Sequence, residues 1–333
     1  MAHTRKIAIG LGDPAGIGPE IALKAALDER VTRVARPLLV GDKGAVERHA
    51  RASGLAPKLV AFKSASEVDW SRDGVLMIDL DQFRAEPLEL GKVKAAHGRA
   101  AVDAARVAIE AALAGEVDAV VAAPQTERAI KEAGISFDGY PSFVARVTGT
   151  PVEDVFLMHC FDDKRIVHVS LHVSLARAIS LVTEARVLKA VRAAHDTLTR
   201  LGISSPRLCC SGLNPHAGEE GMFGQEEIEI IEPALEVARH AGIRIDGPFG
   251  ADTMFHREGY DAFVVMFHDQ GHIASKLMAR NRIAGLAIGT PVLFSSVAHG
   301  SGLDIAGQNK ASAEAMVEAV ARLVGAAEKR KAA

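Results

Sequence analysis

Aromatic side chains are scarce in this chain: 5% of 333 residues, with one tryptophan and two tyrosines. A sheet that stacks nucleic-acid bases on its face needs more of them. A dominant charge is missing too. Lys and Arg number 39 against 42 Asp and Glu, a net −3, which supplies neither a basic field for a phosphate backbone nor a polybasic membrane anchor. No apolar run approaches the roughly 20 residues of a membrane span. The start, Met1-Ala-His-Thr-Arg-Lys6, runs straight into an apolar stretch and leaves no room for a signal peptide, so a cytoplasmic location is expected. Cysteine is limited to Cys160, Cys209 and Cys210, with no Cys-x-x-Cys spacing, and buried reduced thiols are expected. What remains, 48% hydrophobic and 24% charged, is the composition of a globular protein whose partner is a small molecule rather than a nucleic acid or a membrane.

Strand and helix signals alternate along the chain, with no repeats or long linker. Apolar runs at 7–11, 37–40, 58–62, 75–78, 117–121, 155–158, 165–171, 207–210 and 262–267 read as strands. Amphipathic stretches at 20–27, 96–114, 184–201, 225–241 and 312–326 read as helices, and Lys329-Arg-Lys331 as a frayed tail. Continuous apolar strands such as 207–210 suit a sheet covered on both faces. The alternation predicts an α/β fold of two domains on mostly parallel sheets. The expected division places 1–130 and 288–333, with both termini, in one domain and 131–287 in the other.

Three histidines stand in turn-like segments after apolar runs: His172, His216 and His268. A lone histidine is usually structural, but three at strand ends suit a metal site with an open fourth position. Gly10-Leu-Gly-Asp-Pro-Ala-Gly-Ile-Gly-Pro-Glu20 has the glycine density of a phosphate cradle before a helix, although it is neither Gly-x-Gly-x-x-Gly in register nor a P-loop. A tight structural turn explains it equally well. Ala298-His-Gly-Ser-Gly-Leu-Asp-Ile-Ala-Gly307 is a second such loop, where Asp304 either accepts from both ribose hydroxyls, favouring NAD over NADP, or caps a turn. Asp252, Asp269 and Lys276 complete the polar set, as bases, carboxylate binders or surface residues.

These motifs resemble the 4-hydroxythreonine-4-phosphate dehydrogenase family. Its signatures occur in order: Gly12-Asp-Pro-Ala-Gly-Ile-Gly-Pro-Glu20, Gly212-Leu-Asn-Pro-His-Ala-Gly-Glu219, Asp246-Gly-Pro248 with Ala251-Asp-Thr253, and His268-Asp-Gln-Gly271. The loop His299-Gly-Ser301 with Asp304-Ile-Ala-Gly307 is similar to the adenosine-binding loop of isopropylmalate and isocitrate dehydrogenases. The resemblance implies an isopropylmalate/isocitrate dehydrogenase-like fold and a homodimer, joined through the middle domain, with its active site in the interdomain cleft. It implies a divalent metal on His172, His216 and His268, commonly completed across the dimer interface. Zinc is the first choice, with cobalt, manganese, magnesium and nickel as alternatives. NAD is the implied cofactor, held by Gly12, Gly16, Gly18, His299, Gly300, Ser301, Asp304, Ala306 and Gly307. The implied chemistry is oxidation of a secondary alcohol followed by β-decarboxylation.

The departures from the family bear on the substrate. Its phosphate-binding His-Thr pair falls on Tyr140-Pro141, its Asn and Arg beyond the shared Lys276 fall on Gly285 and Phe294, and a Lys after Pro124 is Glu127. Each charge-assisted bond lost weakens phosphate binding by roughly 1.5–3 kcal/mol. A substrate site with Tyr140, Pro141, Lys276 and Phe294 suits a flat, unphosphorylated ring. With Gly139-Tyr-Pro-Ser142, Val167-His-Val-Ser-Leu-His172 and His268-Asp-Gln-Gly-His-Ile273, the pattern is similar to the terephthalate cis-dihydrodiol dehydrogenase branch. The expected reaction converts terephthalate 1,2-cis-dihydrodiol to protocatechuate, CO2 and NADH. Asp269 or Lys276 is the expected base, with Asp252 as a further catalytic candidate and Lys276, Arg280 or Arg282 on the distal carboxylate. The alternatives are a dehydrogenase for 4-hydroxythreonine-4-phosphate or a related phospho-hydroxy acid, a three-histidine metal hydrolase, and a non-catalytic metal binder.

Overall fold

Short apolar runs bounded by Gly, Pro and Asp become strands buried on both faces. The computed structural model describes residues 4–84, 87–279 and 283–325. Arg280, Arg282, the expected end of the last helix at 326 and the Lys329–Lys331 tail lie outside them. The described strands are β1 (Arg5–Gly10), β2 (Ala35–Gly41), β3 (Leu59–Phe62), β4 (Val75–Asp79), β5 (Ala119–Ala122), β6 (Phe156–Phe161), β7 (Lys164–His168), β8 (Arg207–Ser211), β9 (Arg244–Phe249), β10 (Ala262–Val265), β11 (Ala284–Ile288) and β12 (Phe294–Val297). β5 (Ala-Val-Val-Ala) and β10 (Ala-Phe-Val-Val) are buried at every position, as strands without a polar face must be.

The chain divides into two compact units, 1–149 with 291–333, and 150–290. The sequence placed the boundaries at 130/131 and 287/288. The first lies further along because the helix Tyr140–Thr148 packs with the first unit. It buries Phe143, Val144 and Ala145, and its Tyr140 hydroxyl donates to the Ala123 carbonyl at 3.0 Å.

The first unit has six parallel strands in the order β3-β4-β2-β1-β5-β12. The helix Ala95–Leu113 lays a face of Ala100, Ala101, Ala104, Ala105, Ala108 and Ile109 on it, and small side chains allow close approach. The helix Lys43–Ala52 is capped by Asp42, whose Oδ1 accepts from the Ala45 N–H at 2.8 Å. Inside that helix His49 is fully buried, with Nε2 3.1 Å from the Pro14 carbonyl.

Burial pushes the His49 pKa below 6.5, and Arg48 adds to the lowering, against the Pro14 carbonyl and the Glu20 and Asp13 carboxylates. An imidazole kept neutral in the folded state takes up its proton on unfolding. Its stabilisation is therefore complete above pH 6.5 and is lost as the pH falls from there toward the folded pKa. His49→Gln should flatten this acid limb. As the pH falls below 6.5 the wild type loses stability more steeply than the variant, by up to about 1.4 kcal/mol per pH unit, in urea titrations at each pH. Parallel curves would remove His49 from the linkage.

The second unit orders its strands β11-β6-β7-β10-β8-β9. β6 runs antiparallel to both β7 and β11, and the pairs β7-β10, β10-β8 and β8-β9 are parallel. Cys160, Cys209 and Cys210 are buried, and burial pushes the Cys209 thiol up to about 12. The single helix expected over 225–241 is instead a π-helical turn, Glu227–Ile231, followed by an α-helix, Glu232–His240. Pro233 has no N–H to continue the α-helical ladder at that junction. The expected strand 165–171 stops at His168, and a helix, His268–Ala279, follows β10 where the sequence suggested only a turn.

Candidate active site

In the second unit β7, β10 and β8 are parallel neighbours, so their carboxyl ends share one edge of the sheet. His172 follows β7, His268 follows β10 and His216 follows β8. Ligands of open α/β sheets gather at that edge. The His172 and His268 rings lie 5.5 Å apart between centroids. His268 opens its helix half-exposed, and its Nδ1 sits 2.6 Å from Asp269 Oδ1. His216 Nδ1 lies 3.2 Å from Glu219 Oε1, and its ring meets Phe223 edge-on at 6.1 Å. Two of the three imidazoles thus have Nδ1 held by a carboxylate and Nε2 left over, the donor arrangement that a divalent metal takes.

The segment carrying His216 is strained. His216, Ala217, Glu219 and Glu220 have φ of 53°, 55°, 44° and 54°, in the left-handed region that side chains disfavour. A buried carboxylate holds it in place. Glu227 Oε1 accepts from the Leu213 and Asn214 N–H groups at 2.7 and 2.8 Å, and Oε2 from Asn214 Nδ2 at 2.9 Å. Gln270 ties this loop to that of His268. Its Oε1 accepts from the Met266 N–H at 2.8 Å and its Nε2 donates to the Gly212 carbonyl at 3.1 Å. Sequence reading missed both residues. Asp252 is exposed near His216, since a Cβ built on Gly250 would lie 2.7 Å from Asp252 Oδ1 and 3.5 Å from His216 Cα. Lys276 is exposed two turns beyond His268, on the helix stripe of His268 and His272. Asp269, expected as a base, is engaged with His268 Nδ1 and serves to orient that ring.

Three further histidines, also missed, converge below this edge: His159 on β6, His168 on β7 and His272 on the helix, all buried. Burial pushes His159 down to about 3 and His272 to about 4, helped by neighbouring imidazoles and the Lys276 charge. The available signal was three imidazoles at otherwise apolar positions.

In the first unit the two glycine-rich loops meet. The Ile17 N–H donates to the Ser301 carbonyl at 2.8 Å, and Thr126 Oγ1 lies 2.6 Å from Ser301 Oγ. Gly12, Gly16 and Gly18, expected to touch a cofactor, are packed against the chain's own backbone. A Cβ at these positions would lie 2.3 Å from the Pro124 carbonyl oxygen, 2.3 Å from that of Ser301 and 2.1 Å from that of Leu11. All three are buried, and the close approach they permit is to the protein's own backbone. The second loop is different. His299, Gly300 and Asp304 are exposed, a Cβ at Gly300 would meet nothing within 4 Å, and Ala306 and Gly307 are half-buried. Ser301 is buried as the anchor between the loops. An open backbone beside an exposed carboxylate fits an adenosine ribose.

The sequence signature described as pyridoxal phosphate biosynthetic protein PdxA matches residues 33–323. The chain belongs to the PdxA family. It is 40% identical to the 1,2-dihydroxy-3,5-cyclohexadiene-1,4-dicarboxylate dehydrogenase of a Comamonas species, over 96% of this chain and 97% of that protein. A terephthalate 1,2-cis-dihydrodiol dehydrogenase of Burkholderia xenovorans LB400 superposes with a TM-score of 0.76 at 41% identity, covering 97% of this chain and 98% of that one. A 4-hydroxythreonine-4-phosphate dehydrogenase of Burkholderia phymatum superposes with a TM-score of 0.86 at 33% identity, covering 96% and 98%. As a PdxA-family dehydrogenase the chain is an enzyme with a small-molecule substrate, which sets the hydrolase and the non-catalytic binder aside. No helix among the described residues is long and apolar enough to cross a membrane.

Within this PdxA-family chain the four departures have definite places. The Tyr140 ring lies 5.1 Å from that of Phe294, and burial pushes its phenol up. Phe294, expected at the substrate site, is only 1% exposed on β12, and its ring backs Tyr140. Pro141, half-buried, is in the first turn of the Tyr140 helix. Gly285 is buried on β11 opposite His159, and Glu127 is exposed at the start of the helix Glu127–Glu132.

Proposed function

We propose that this dehydrogenase uses NAD and a divalent metal, zinc foremost, to oxidise a carboxylated cis-dihydrodiol with loss of CO2. The substrate that fits is terephthalate 1,2-cis-dihydrodiol and the product protocatechuate. One observation carries the reading. At the sequence positions that match the family's phosphate-binding residues, this chain has Tyr140, whose hydroxyl donates to the Ala123 carbonyl, Phe294, a buried ring, and Gly285, with no side chain. None of these groups balances a dianion, and the Tyr140 ring, partly exposed, suits a flat substrate. The names of the Comamonas and B. xenovorans relatives support the same substrate class.

The balance is simple. The carbinol loses a hydride and a proton, the ketone formed is β to the neighbouring carboxylate, that C–C bond breaks to release CO2, and its electron pair forms an aromatic enolate that takes a proton on oxygen to give the catechol. When bound, the metal would polarise the carbinol and the nicotinamide would take the hydride. His172, His216 and His268 would hold the metal. Asp269 fixes the His268 ring, and Glu227 and Gln270 fix the loops beneath. Lys276 would bind a substrate carboxylate or accept the carbinol proton. Asp304 would accept from the ribose hydroxyls.

Apolar side chains flank each of the three histidines. Leu175 is 60% exposed after His172, Met222 76% after His216, and Leu277 78% on the His268 helix. A homodimer covering them is part of the proposal.

The test offers zinc-loaded enzyme a terephthalate-derived cis-dihydrodiol and 4-hydroxythreonine-4-phosphate side by side. NADH absorbance and CO2 release are followed, with sedimentation of the same preparation to read the dimer. Turnover of the diol alone is expected. Turnover of the phosphate alone would overturn the reading in favour of a phospho-hydroxy acid, which the higher TM-score to the B. phymatum enzyme favours.

A further inference from the structure

The buried histidines of the second unit belong to none of the roles above. His159, His168 and His272 are 6%, 1% and 8% exposed, and one ring nitrogen of each lies within 4.8 Å of the others. The ring centroids are 5.1, 4.2 and 4.6 Å apart for the pairs 159–168, 159–272 and 168–272. Leucines at these positions would fill the space without desolvating imidazoles, so their convergence calls for a partner.

Hydrogen bonds set which nitrogens carry lone pairs. His168 Nδ1 lies 3.1 Å from the Leu157 carbonyl, which only accepts, so Nδ1 is the N–H and Nε2 is the donor atom for a ligand. Ser275 Oγ gives its one proton to the His272 carbonyl at 3.1 Å and so accepts from His159 Nδ1 at 3.0 Å, leaving His159 Nε2. Carbonyl and hydroxyl partners on the far nitrogen are how metal-binding histidines are oriented. With His168 Nε2 the acceptor, His272 Nδ1–H donates to it at 3.1 Å, and a bound ion would take the place of that proton. That spacing is close to the roughly 3.3 Å between two nitrogens sharing a tetrahedral ion at about 2.05 Å. Gly271 keeps the approach clear, since a Cβ there would lie 2.3 Å from His168 Nε2.

We propose that His159, His168 and His272 form a second transition-metal site, separate from the one assigned to His172, His216 and His268. An all-imidazole, carboxylate-free donor set selects zinc, cobalt, nickel or copper over magnesium and calcium.

Metal-stripped enzyme is titrated with Co2+, following visible absorption and bound metal after desalting. Wild type should take up two equivalents per chain and His168→Leu one. Crystals of wild-type enzyme soaked in Zn2+ should show anomalous peaks at both sites. Equal uptake in wild type and a folded His168→Leu, or no anomalous peak among His159, His168 and His272, would each overturn the site. The wild-type crystals decide the matter even if the variant does not fold. Because each peak is read separately, loss of the first site does not alter the result for the second.

Discussion

His268→Ala is expected to lower kcat/KM for the dihydrodiol by at least about a thousandfold, roughly 4 kcal/mol of transition-state stabilisation. Its effect on folding should be small, because the side chain is 35% exposed and Asp269, whose Oδ1 it meets, is 68% exposed. Asp269→Asn keeps the imidazole but removes the carboxylate that fixes Nδ1. Its expected cost is about ten- to a hundredfold in metal affinity or activity, in line with partners behind metal ligands elsewhere. The order His268→Ala far below Asp269→Asn, at nearly equal melting temperatures, is the signature of a ligand and its orienting group. Steady-state NADH formation together with bound-metal analysis reads both. Retention of activity within tenfold in His268→Ala would remove His268 from the site. A reversed order would make Asp269 the proton acceptor instead.

A second contrast separates the two glycine-rich loops. In Gly16→Ala the new methyl would stand 2.3 Å from the Ser301 carbonyl oxygen and 2.8 Å from Ser301 Cβ. Backbone cannot swing aside as a side chain does, so the 301 segment must move, and the 2.8 Å bond from the Ile17 N–H breaks with it. The expected destabilisation is about 1–3 kcal/mol, read as a fall of several degrees in melting temperature. NAD affinity should fall too, since Ser301 anchors the loop that presents His299, Gly300 and Asp304. Gly300→Ala is the control: a Cβ there meets nothing within 4 Å, so the melting temperature should not change. A loss of NAD affinity in Gly300→Ala at unchanged melting temperature would place the cofactor against that backbone. An unaltered melting temperature and NAD affinity in Gly16→Ala would refute the interlock.

Much of this protein was legible before folding was considered. Alternating apolar runs and amphipathic stretches specify an α/β chain, because a strand without a polar face must be covered and a helix with one apolar stripe must cover something. The positions of His172, His216 and His268 after apolar runs pointed to a strand-end site, and order along the chain suffices for that. Sequence could not show that β7, β10 and β8 are neighbours, because strand order is set by long-range pairing. That adjacency puts the histidines at one edge. Nor could it tell which glycines serve a ligand. Gly16 and Gly300 look alike in a string of letters, and only packing shows that one faces the Ser301 backbone and the other open space. Phe294 read as a pocket wall from its position, but burial of β12 turned its ring toward Tyr140. The convergence of His159, His168 and His272 belongs wholly to the tertiary structure. Residues distant in sequence come within bonding distance only when two antiparallel strands and one helix pack together.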